Sequence, residues 1–597
     1  MSQLFFAGVA WPYANGPRHI GHVAGFGVPS DIWARWARMA GHDVLMVSGT
    51  DEHGTPITVA AEAEGLTPKE LADRNNALIV DDLQGLGLSY DLFTRTTTAN
   101  HYEVTRELFR SLYERGGIIE IEQQVAFSSS DGRSLPDRYI EGTCPICGYD
   151  GARGDQCDNC GNQLDPDDLI EPRSKIDGLP PVFQVTTQYA LDLPKFAEEL
   201  RSWVQAQDRW RPNVRAFSLN LLDDAKIRAI TRDIGWGVPI PFPQWENDPL
   251  KRIYVWFDAV IGYLSASIEW AKLAEDEDDD AWKRWWLTRP GEARHAYFMG
   301  KDNIVFHSFL WPAMLAGYDG PLCDRPDGEH VPLHRPDDIV ASEFLTMEGK
   351  KFSSSRQVVI YVRDVLERYG PDPLRFSLTA GGPESGDADF TWAEFVRRNN
   401  DELVATWGNL VQRVCAMLRR NGGVVPDRGT QPAEGKELLS RVAEGFVHVG
   451  DAIERYRFKQ ALSDTLLLAQ EVNAFVSQSE PWKVVKTDKD AALGILSVAY
   501  DAVCDLNVLL TPFLPHGAQR VWDNLGVDVT VPLPQVEEVG EGDDRHRVLR
   551  TPKETMRWEP FRVEPGTPLG APSPLFEKID VSVVEEELAR LAGASEG

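Results

Sequence analysis

Residues 4–50 decide the fold and read LFFAGVAWPYANGPRHIGHVAGFGVPSDIWARWARMAGHDVLMVSGT. The apolar run LFFAGVA has the length of a buried parallel strand, DIWARWARMAG has the spacing of an amphipathic helix, and DVLMVSG is a second buried strand. Strand, helix and strand in succession predict a βαβ unit. We therefore expect an α/β protein with a parallel sheet, whose ligand crevice lies at the carboxyl ends of the strands.

Two histidines, His19 and His22, fall where the first strand gives way to the helix. A helix N-terminus presents free backbone N–H groups and the positive end of the helix dipole, which together bind anions. The imidazoles can add hydrogen bonds to phosphate oxygens, and Gly21 between them leaves room for a nucleotide. A lone H-x-x-H pattern more often marks two surface histidines, so this hypothesis depends on the rest of the chain.

The composition limits the classes of protein that the chain can belong to. Its 597 residues, 42% of them hydrophobic, are enough for two to four domains. No apolar run approaches the ~18 residues of a membrane helix, and the N-terminus has no signal-peptide pattern, so we expect a cytoplasmic protein without a membrane partner. The net charge of −31 argues weakly against a general nucleic-acid binder, although a local basic face is compatible with it.

Strand and helix signals along the chain predict six segments. They are the first half of a parallel-sheet domain (1–120), an insertion (121–220), the second half of that domain (221–335), a connecting region with the loop GKKFSSS (336–390), a helical bundle (391–535) and a surface segment with a charged tail (536–597).

Four of the seven cysteines cluster in the insertion, at Cys144, Cys147, Cys157 and Cys160. Two C-x2-C pairs, each followed by glycine, have the spacing of tetrahedral zinc knuckles. Four thiolates close the coordination shell, so we expect one structural zinc ion rather than a catalytic one. The alternative is a set of reduced, unligated thiols.

Motifs spread over nearly the whole chain carry a resemblance to a known family. The pair formed by HIGH and KFSSS resembles the two signatures of class I aminoacyl-tRNA synthetases, with a Rossmann-type catalytic domain. Within that class, AWPYANGPRHIGH, GTDEHGTPI, YVWFDAVIGY and GKDNIVFHSFLWPAML look like the methionyl-tRNA synthetase family. The resemblance implies that residues 336–390 contact the tRNA stem and that the helical bundle binds the anticodon.

The resemblance implies that His19, His22 and Lys351 hold the ATP phosphates and are catalytic, with Mg²⁺ on the leaving phosphates. Further ATP contacts are expected at Gly21, Gly300, Asp302 and Ser353. The second signature departs from K-M-S-K-S, because Phe352 replaces Met and Ser354 replaces the second Lys. Lys350 and Arg356 are candidates for the missing cation.

A methionine site should be aromatic and apolar around the thioether, with an anion for the ammonium. By resemblance Asp51 takes the ammonium, and the side-chain site is lined by Trp11, Tyr13, Trp256, Ala259, Tyr263 and His307. Without the resemblance, YVWFDAVIGYL is more simply a buried element with its aromatic residues in the core.

In the helical bundle the resemblance implies anticodon contacts from Asn409, Arg413 and Trp482. An exposed tryptophan can stack on a base, and an amide and a guanidinium one helical turn apart can reach base edges. The alternative for Trp482 is a core tryptophan at a helix start.

The resemblance therefore predicts activation of L-methionine with ATP and transfer of methionyl to the 3′-terminal ribose of initiator and elongator tRNA(Met), by a monomer. Synthetases for Ile, Val or Leu need a large editing insertion, and the insertion here is occupied by the cysteine pairs. A cysteine enzyme would need catalytic zinc, which four cysteine ligands do not allow. A catalytically silent tRNA-binding paralogue remains the alternative, favoured only by the missing second lysine.

Overall fold

The computed structural model describes residues 2–130, 132–135, 139–154, 156–162, 164–245, 248–274, 278–351 and 359–594. The strands in chain order are β1 (Leu4–Val9), β2 (Asp43–Thr50), β3 (Leu92–Arg95), β4 (Ile118–Phe127), β5 (Ile140–Thr143), β6 (Ala152–Arg153), β7 (Ile170–Ser174), β8 (Val182–Leu191), β9 (Arg228–Ala229), β10 (Thr231–Asp233), β11 (Lys251–Ile253), β12 (Ala293–Gly300), β13 (Asp338–Ser342), β14 (Leu345–Met347), β15 (Lys350–Lys351), β16 (Ala388–Phe390), β17 (Gln535–Val539) and β18 (His546–Arg550).

The α-helices are α1 (Ile20–His22), α2 (Val28–Met39), α3 (Thr55–Glu64), α4 (Pro68–Leu86), α5 (Ala99–Glu114), α6 (Leu193–Gln205), α7 (Pro212–Asp223), α8 (Val255–Leu273), α9 (Lys283–Trp286), α10 (Trp311–Gly317), α11 (Val362–Tyr369), α12 (Pro371–Gly381), α13 (Trp392–Arg397), α14 (Asn409–Arg420), α15 (Ala433–Glu454), α16 (Phe458–Ser479), α17 (Pro481–Val484), α18 (Lys489–Leu510), α19 (Pro515–Leu525) and α20 (Val583–Ala594). Three π-helical stretches interrupt or extend them, at Val23–Gly27, Phe306–Leu310 and Arg398–Gly408.

The central sheet has the strand order β13-β12-β1-β2-β3-β18-β17. Strand β1 pairs in parallel with β2 on one side and with β12 on the other, and β12 pairs in parallel with β13. Five of the six residues of β1 are buried, as expected for a strand that is covered on both faces. The predicted βαβ unit and the parallel sheet are confirmed.

The insertion is built from antiparallel strands instead. Strands β4 and β8, ten residues each, pair along their whole length, and a three-stranded sheet β6-β5-β7 carries the cysteine cluster. The chain then returns to the parallel sheet through β12. The fold class predicted from the sequence, a parallel-sheet domain split by an insertion and followed by a helical bundle, is therefore confirmed.

The segment after the bundle differs from the expected surface segment. Strands β17 and β18 pair with each other, and β18 adds antiparallel to β3. They add two strands to the sheet beside β3. Without them β3 would be an edge strand with exposed backbone N–H and C=O groups. Two five-residue strands in an acid-rich stretch have too little apolar periodicity for the sequence to predict them.

Helices α14 to α19 form the bundle, with α18 in its centre. Helix α18 is long and apolar enough to suit a membrane span, but 94% of its most apolar window is buried inside the protein, as in the core helix of a globular domain. Its buried residues pack against α14, α15 and α16.

A buried ion cluster joins the parallel-sheet domain to the following helices. Asp31 on α2 accepts hydrogen bonds from Arg35 Nε (3.0 Å) and from Arg375 Nη2 on α12 (2.6 Å), and all three side chains are at most 1% exposed. The guanidinium of Arg375 also donates to the carbonyl oxygens of Pro512 and Phe513, just before α19. One carboxylate therefore holds two arginines that bridge three parts of the chain.

We predict that Asp31→Asn lowers the free energy of unfolding by about 3–5 kcal/mol, because it leaves two buried guanidinium groups without their counter-charge. Urea denaturation followed by circular dichroism measures this change. The control is Glu64→Gln, which removes the exposed ion pair with Arg74 and should leave the free energy of unfolding nearly unchanged. Equal losses in the two variants would show that the cluster does not stabilise the junction.

Candidate active site

Of the residues assigned to ATP and methionine, those that the structure describes lie near the carboxyl edge of β1, β2 and β12. The backbone N–H of Ala10 donates to Phe298 O of β12 (2.9 Å), and that of Asp51, after β2, donates to Pro12 O (2.8 Å). The loops that follow the three strands therefore meet. The parallel pairing thus brings residues from distant parts of the chain into one crevice.

The indole of Trp11 is wedged between the sheet and α8. A Cβ atom added at Gly49 of β2 would lie 2.3 Å from the indole, and one at Gly262 of α8 would lie 2.5 Å from it. Only glycine leaves room at these two positions. The ring also packs edge-on against Tyr263, with centroids 6.4 Å apart, so Trp11 and Tyr263 share one pocket.

His19 and His22 lie with their rings stacked, 3.5 Å between centroids. Burial, with the neighbouring Arg18 charge, lowers the pKa of His19 to about 3, and burial lowers the pKa of His22 well below its usual value. Both imidazoles are therefore neutral near pH 7 and can offer N–H donors rather than charges. A π-helical stretch begins directly after His22, a feature that is frequent at functional sites.

The chain on either side of the second signature is anchored beside these histidines. Ile20 N donates to Ile360 O (3.0 Å), Val362 N donates to Arg18 O (2.8 Å), and His19 forms an antiparallel bridge with Tyr361. The entry to the signature, β15, pairs with β14. The side chain of Lys351 and the residues Phe352, Ser353, Ser354 and Arg356 lie outside the described part of the chain.

Asp51, in the loop after β2, lies buried with 3% of its surface exposed. Its backbone bridges to Tyr13, whose loop is held by Arg18 Nη2 donating to the carbonyl oxygens of Tyr13 and Gly16 (2.7 Å each). Burial raises the pKa of Asp51 well above its usual value, and the nearby carboxylate of Asp258 raises it further. Such a group favours a cationic ligand.

Tyr263, which packs against Trp11, also contacts His307. The hydroxyl of Tyr263 lies 2.7 Å from His307 Nε2, and His307 Nδ1 lies 2.9 Å from the carbonyl oxygen of Asn303. Because a carbonyl only accepts, Nδ1 carries the proton and Nε2 accepts from the tyrosine. Burial lowers the pKa of His307 to about 4, so the pair is neutral and internally satisfied, which suits an apolar ligand.

The remaining pocket residues extend this site. Trp256 and Ala259 lie partly exposed on the first turns of α8, and the indole of Trp256 packs edge-on against Phe306, 5.4 Å between centroids. Gly300 ends β12, and the exposed Asp302 follows it in a short turn. The partial exposure of Trp256 and Ala259 contradicts the simpler interpretation of this helix as core alone.

Several polar residues of the site were missed by the sequence analysis. His53 Nδ1 lies 2.7 Å from Asp258 Oδ2, and His53 Nε2 lies 3.0 Å from the hydroxyl of Tyr102. Glu52 accepts from Arg95 Nε (2.8 Å). Glu52, His53 and Asp258 fall inside quoted motifs, GTDEHGTP and YVWFDAVIGY, but their pairing joins residues about 200 positions apart, which no local pattern reveals.

The four cysteines come together away from this crevice. Their sulfur atoms lie within 4.8 Å of one another, at 3.9 Å for Cys144–Cys160 and 3.6 Å for Cys147–Cys157, and none forms a disulfide. A tetrahedral Zn–S distance of ~2.3 Å requires sulfur atoms about 3.8 Å apart. Gly148 and Gly161, both at φ +74°, close the two matching turns. Hydrogen bonding from Asn159 lowers the pKa of Cys147 to about 6, which favours the thiolate that a metal needs.

The three proposed anticodon residues lie together on the bundle. Asn409 is exposed, and the guanidinium of Arg413 lies 4.8 Å from the ring centroid of Trp482 while Nη1 donates to Ser477 Oγ (3.0 Å). Trp482 is 38% exposed, so it is not a core tryptophan. A cation stacked on an exposed indole is a surface that suits a nucleic-acid base.

Comparisons with known proteins agree with this architecture. A family model described as "tRNA synthetases class I (M)" matches residues 5–415, and one described as "Anticodon binding domain of methionyl tRNA ligase" matches residues 425–540. The methionine–tRNA ligase of Chloroflexus aurantiacus is 58% identical over 599 residues, covering 99% of both chains. That of Beutenbergia cavernae is 56% identical over 614 residues and covers 100% of both.

Among solved structures, the Mycobacterium tuberculosis methionyl-tRNA synthetase bound by methionyl-adenylate matches with a TM-score of 0.72. It is 24% identical and covers 96% of this chain and 100% of that one, so it supports the fold. The split parallel sheet, the histidine pair at its carboxyl edge and the helical bundle are those of a class I aminoacyl-tRNA synthetase. The chain belongs to the methionine–tRNA ligase family.

The neutral state of the two histidines is testable without substrate. We predict that His19 stays unprotonated from pH 8 down to pH 5 in the ligand-free protein, because burial lowers its pKa to about 3. We expect His22 to titrate well below an exposed histidine, because burial lowers its pKa as well. ¹⁵N imidazole NMR of the labelled protein measures this, with signals assigned by His→Asn variants. Exposed His330, whose pKa Asp324 and Asp319 raise, serves as the titrating control. A midpoint above pH 5 for His19, or a His22 midpoint equal to that of an exposed histidine, would contradict the prediction.

Proposed function

We propose that this chain activates L-methionine with ATP to methionyl-adenylate and then transfers methionyl to the 3′-terminal ribose of tRNA(Met). The observation that carries the proposal is the polarity of the crevice. The site holds a buried carboxylate, Asp51, the neutral Tyr263–His307 pair that packs against Trp11, and the stacked histidines at a helix start. This arrangement suits an amino acid with an ammonium group and an apolar side chain, next to a polyphosphate.

The reaction itself needs no covalent intermediate with the protein. The methionine carboxylate attacks the α-phosphorus of ATP, the P–O bond to the β-phosphate breaks, and pyrophosphate leaves with Mg²⁺, which enters as part of the nucleotide substrate. Positioning and charge stabilisation then account for the rate. His19 and His22 would donate hydrogen bonds to the phosphates, the N–H groups around Gly21 would add the helix dipole, and Lys351 would supply the positive charge.

The adenosine would lie beyond the phosphates, over the end of β12. Gly300 and Asp302 are placed to face the ribose there, and Ser353 belongs to the loop that would close on the phosphates. Trp11, Tyr13, Trp256 and Ala259 would enclose the methionine side chain, whose polarizable sulfur packs well against aromatic rings.

The cysteine cluster fits a structural zinc ion. Cys144, Cys147, Cys157 and Cys160 would fill a tetrahedral shell and hold the two turns of the insertion together. Because no coordination position would stay open, the ion would supply stability to the insertion rather than chemistry to the reaction.

The six segments predicted from the sequence acquire roles on this proposal. The split domain (1–120 and 221–335) would carry the chemistry, the insertion (121–220) would meet the acceptor end, and residues 336–390 would contact the stem. The bundle (391–535) would bind the anticodon through Asn409, Arg413 and Trp482. Residues 536–597 would pack against both the split domain and the bundle. We expect the protein to act as a monomer in the cytoplasm.

Lys351 provides a test of the reaction. We predict that Lys351→Ala lowers the rate of methionine-dependent ATP–pyrophosphate exchange by at least about 100-fold, with a change in methionine KM below about threefold, because the lysine charge is used in the transition state. Stopped-flow adenylation and exchange assays measure both. Equal losses in the two parameters would place Lys351 in ground-state binding instead. An absence of exchange in the folded, zinc-loaded wild type would refute the proposed activity.

Trp482 tests the anticodon surface. We predict that Trp482→Ala lowers kcat/KM for tRNA(Met) by about 5–150-fold, the equivalent of the ~1–3 kcal/mol that base stacking contributes, and leaves the exchange reaction unchanged. Aminoacylation of a tRNA(Met) transcript measures the loss. The matched control is Leu467→Ala on α16, an apolar side chain that is 54% exposed on the same bundle. A similar loss in both variants would contradict a stacking role.

A further inference from the structure

A second buried carboxylate, Asp258, lies near Asp51. Asp51 follows β2, and Asp258 lies on the first turns of α8 with none of its surface exposed. One oxygen of each, Oδ1 of Asp51 and Oδ1 of Asp258, is buried and accepts no hydrogen bond from any described residue. Buried carboxylate oxygens are rarely left in this state, because they lose water and gain nothing in return.

The other oxygen of Asp258 is firmly held. It receives His53 Nδ1 at 2.7 Å, and the opposite nitrogen of that ring meets the Tyr102 hydroxyl at 3.0 Å. His53 stands two residues after Asp51 on the same loop. The histidine therefore fixes how Asp258 is turned and leaves its Oδ1 uncommitted.

Of the described residues around the two carboxylates, His53 is the one that bonds to both, and it leaves Oδ1 of each without a partner. The titratable and charged groups packed around the two carboxylates are Glu52, His53, Arg95, His101, Tyr102 and Arg252. Glu52 and Arg95 pair with each other at 2.8 Å, and His101 is committed to Ser265 (2.8 Å) and Thr105 (3.2 Å). The guanidinium of Arg252 donates to the carbonyl oxygens of Asp248 and Lys251 (2.9 Å each).

We propose that Asp51 and Asp258 together form a two-carboxylate receptor for the substrate ammonium, with His53 as the positioning residue of Asp258, and that the receptor releases a proton to solvent when methionine binds. The inference rests on the proposed function, since it concerns the same pocket. It assigns to Asp258 and His53 a role that the sequence resemblance did not.

The release of a proton follows from the charges. Burial raises the pKa of both carboxyl groups, and the nearby Asp258 carboxylate raises that of Asp51 further, whereas His53 lowers that of Asp258. Two carboxyl groups that share one buried site with one histidine do not both ionise readily, so on this proposal the empty receptor holds a proton. An arriving ammonium favours the fully ionised pair and expels that proton. Methionine affinity therefore rises as pH increases, because less work is needed to remove the proton.

Isothermal titration calorimetry of methionine into the wild-type protein, in phosphate and in Tris at pH 7.0, counts the protons released. We expect a release of between about half a proton and one proton per site. Asp258→Asn should weaken methionine binding by at least about tenfold and reduce proton release, because it removes one carboxylate and its repulsion. The Ki of 4-(methylthio)butanoate, which is methionine without its ammonium, should change less than about threefold.

The matched control is Glu269→Gln, on the same helix. Glu269 is also a buried carboxylate bonded to a histidine, His546, at 2.8 Å, but it lies away from the pocket residues named above. This variant should leave affinity and proton release unchanged.

Proton release below about 0.1 per site in a wild type that binds methionine would overturn the inference. The inference would also be overturned if Asp258→Asn lost equal affinity for methionine and for 4-(methylthio)butanoate, because Asp258 would then have only a structural role. Both results leave the proposed function intact, provided that the wild type catalyses methionine-dependent exchange. A wild type that neither binds methionine nor exchanges would instead remove the proposed function itself.

Discussion

The parallel pairing of β1 with both β2 and β12 is the constraint on which the rest of the molecule depends. Strand β12 follows β1 by almost 300 residues, yet Val9 of β1 pairs with Phe298 of β12. Because the strands run in the same direction, the loops after them leave from one edge of the sheet. For this reason the loops that carry the histidine pair, Asp51 and Gly300 meet there. Helix α8 packs against the indole of Trp11 at the same edge.

The crevice combines groups of different charge. His19 and His22 at a helix start are neutral imidazoles, whereas Asp51 is a carboxyl group that burial keeps from ionising freely. A crevice with permanent charges at both positions would pay for their desolvation before any substrate arrived. Because the imidazoles are neutral and the carboxyl groups hold a proton, the free energy of desolvating a charge arises only when the substrate brings the opposite charge.

The helical part of the chain is tied to the catalytic sheet by contacts that cross segment boundaries. Asp31 holds Arg375, which in turn contacts the backbone before α19, and residues 360–362 pair with the backbone around His19. Strands β17 and β18 lengthen the sheet from the far end of the chain. A displacement of the bundle would therefore pull on the flank of the second signature loop, close to the histidines.

The sequence by itself determined the features that depend on the spacing of neighbouring residues. The apolar runs specified the parallel strands, the two C-x2-C pairs specified a four-sulfur cluster, and the motifs identified the family, since each is legible within about twenty residues. Only the tertiary structure decided which distant groups meet. The bond between His53 and Asp258, the slot between Gly49 and Gly262, the addition of β18 to β3 and the neutrality of His19 all depend on burial and on strand order. Those are properties of the packed chain, and no short window of sequence contains them.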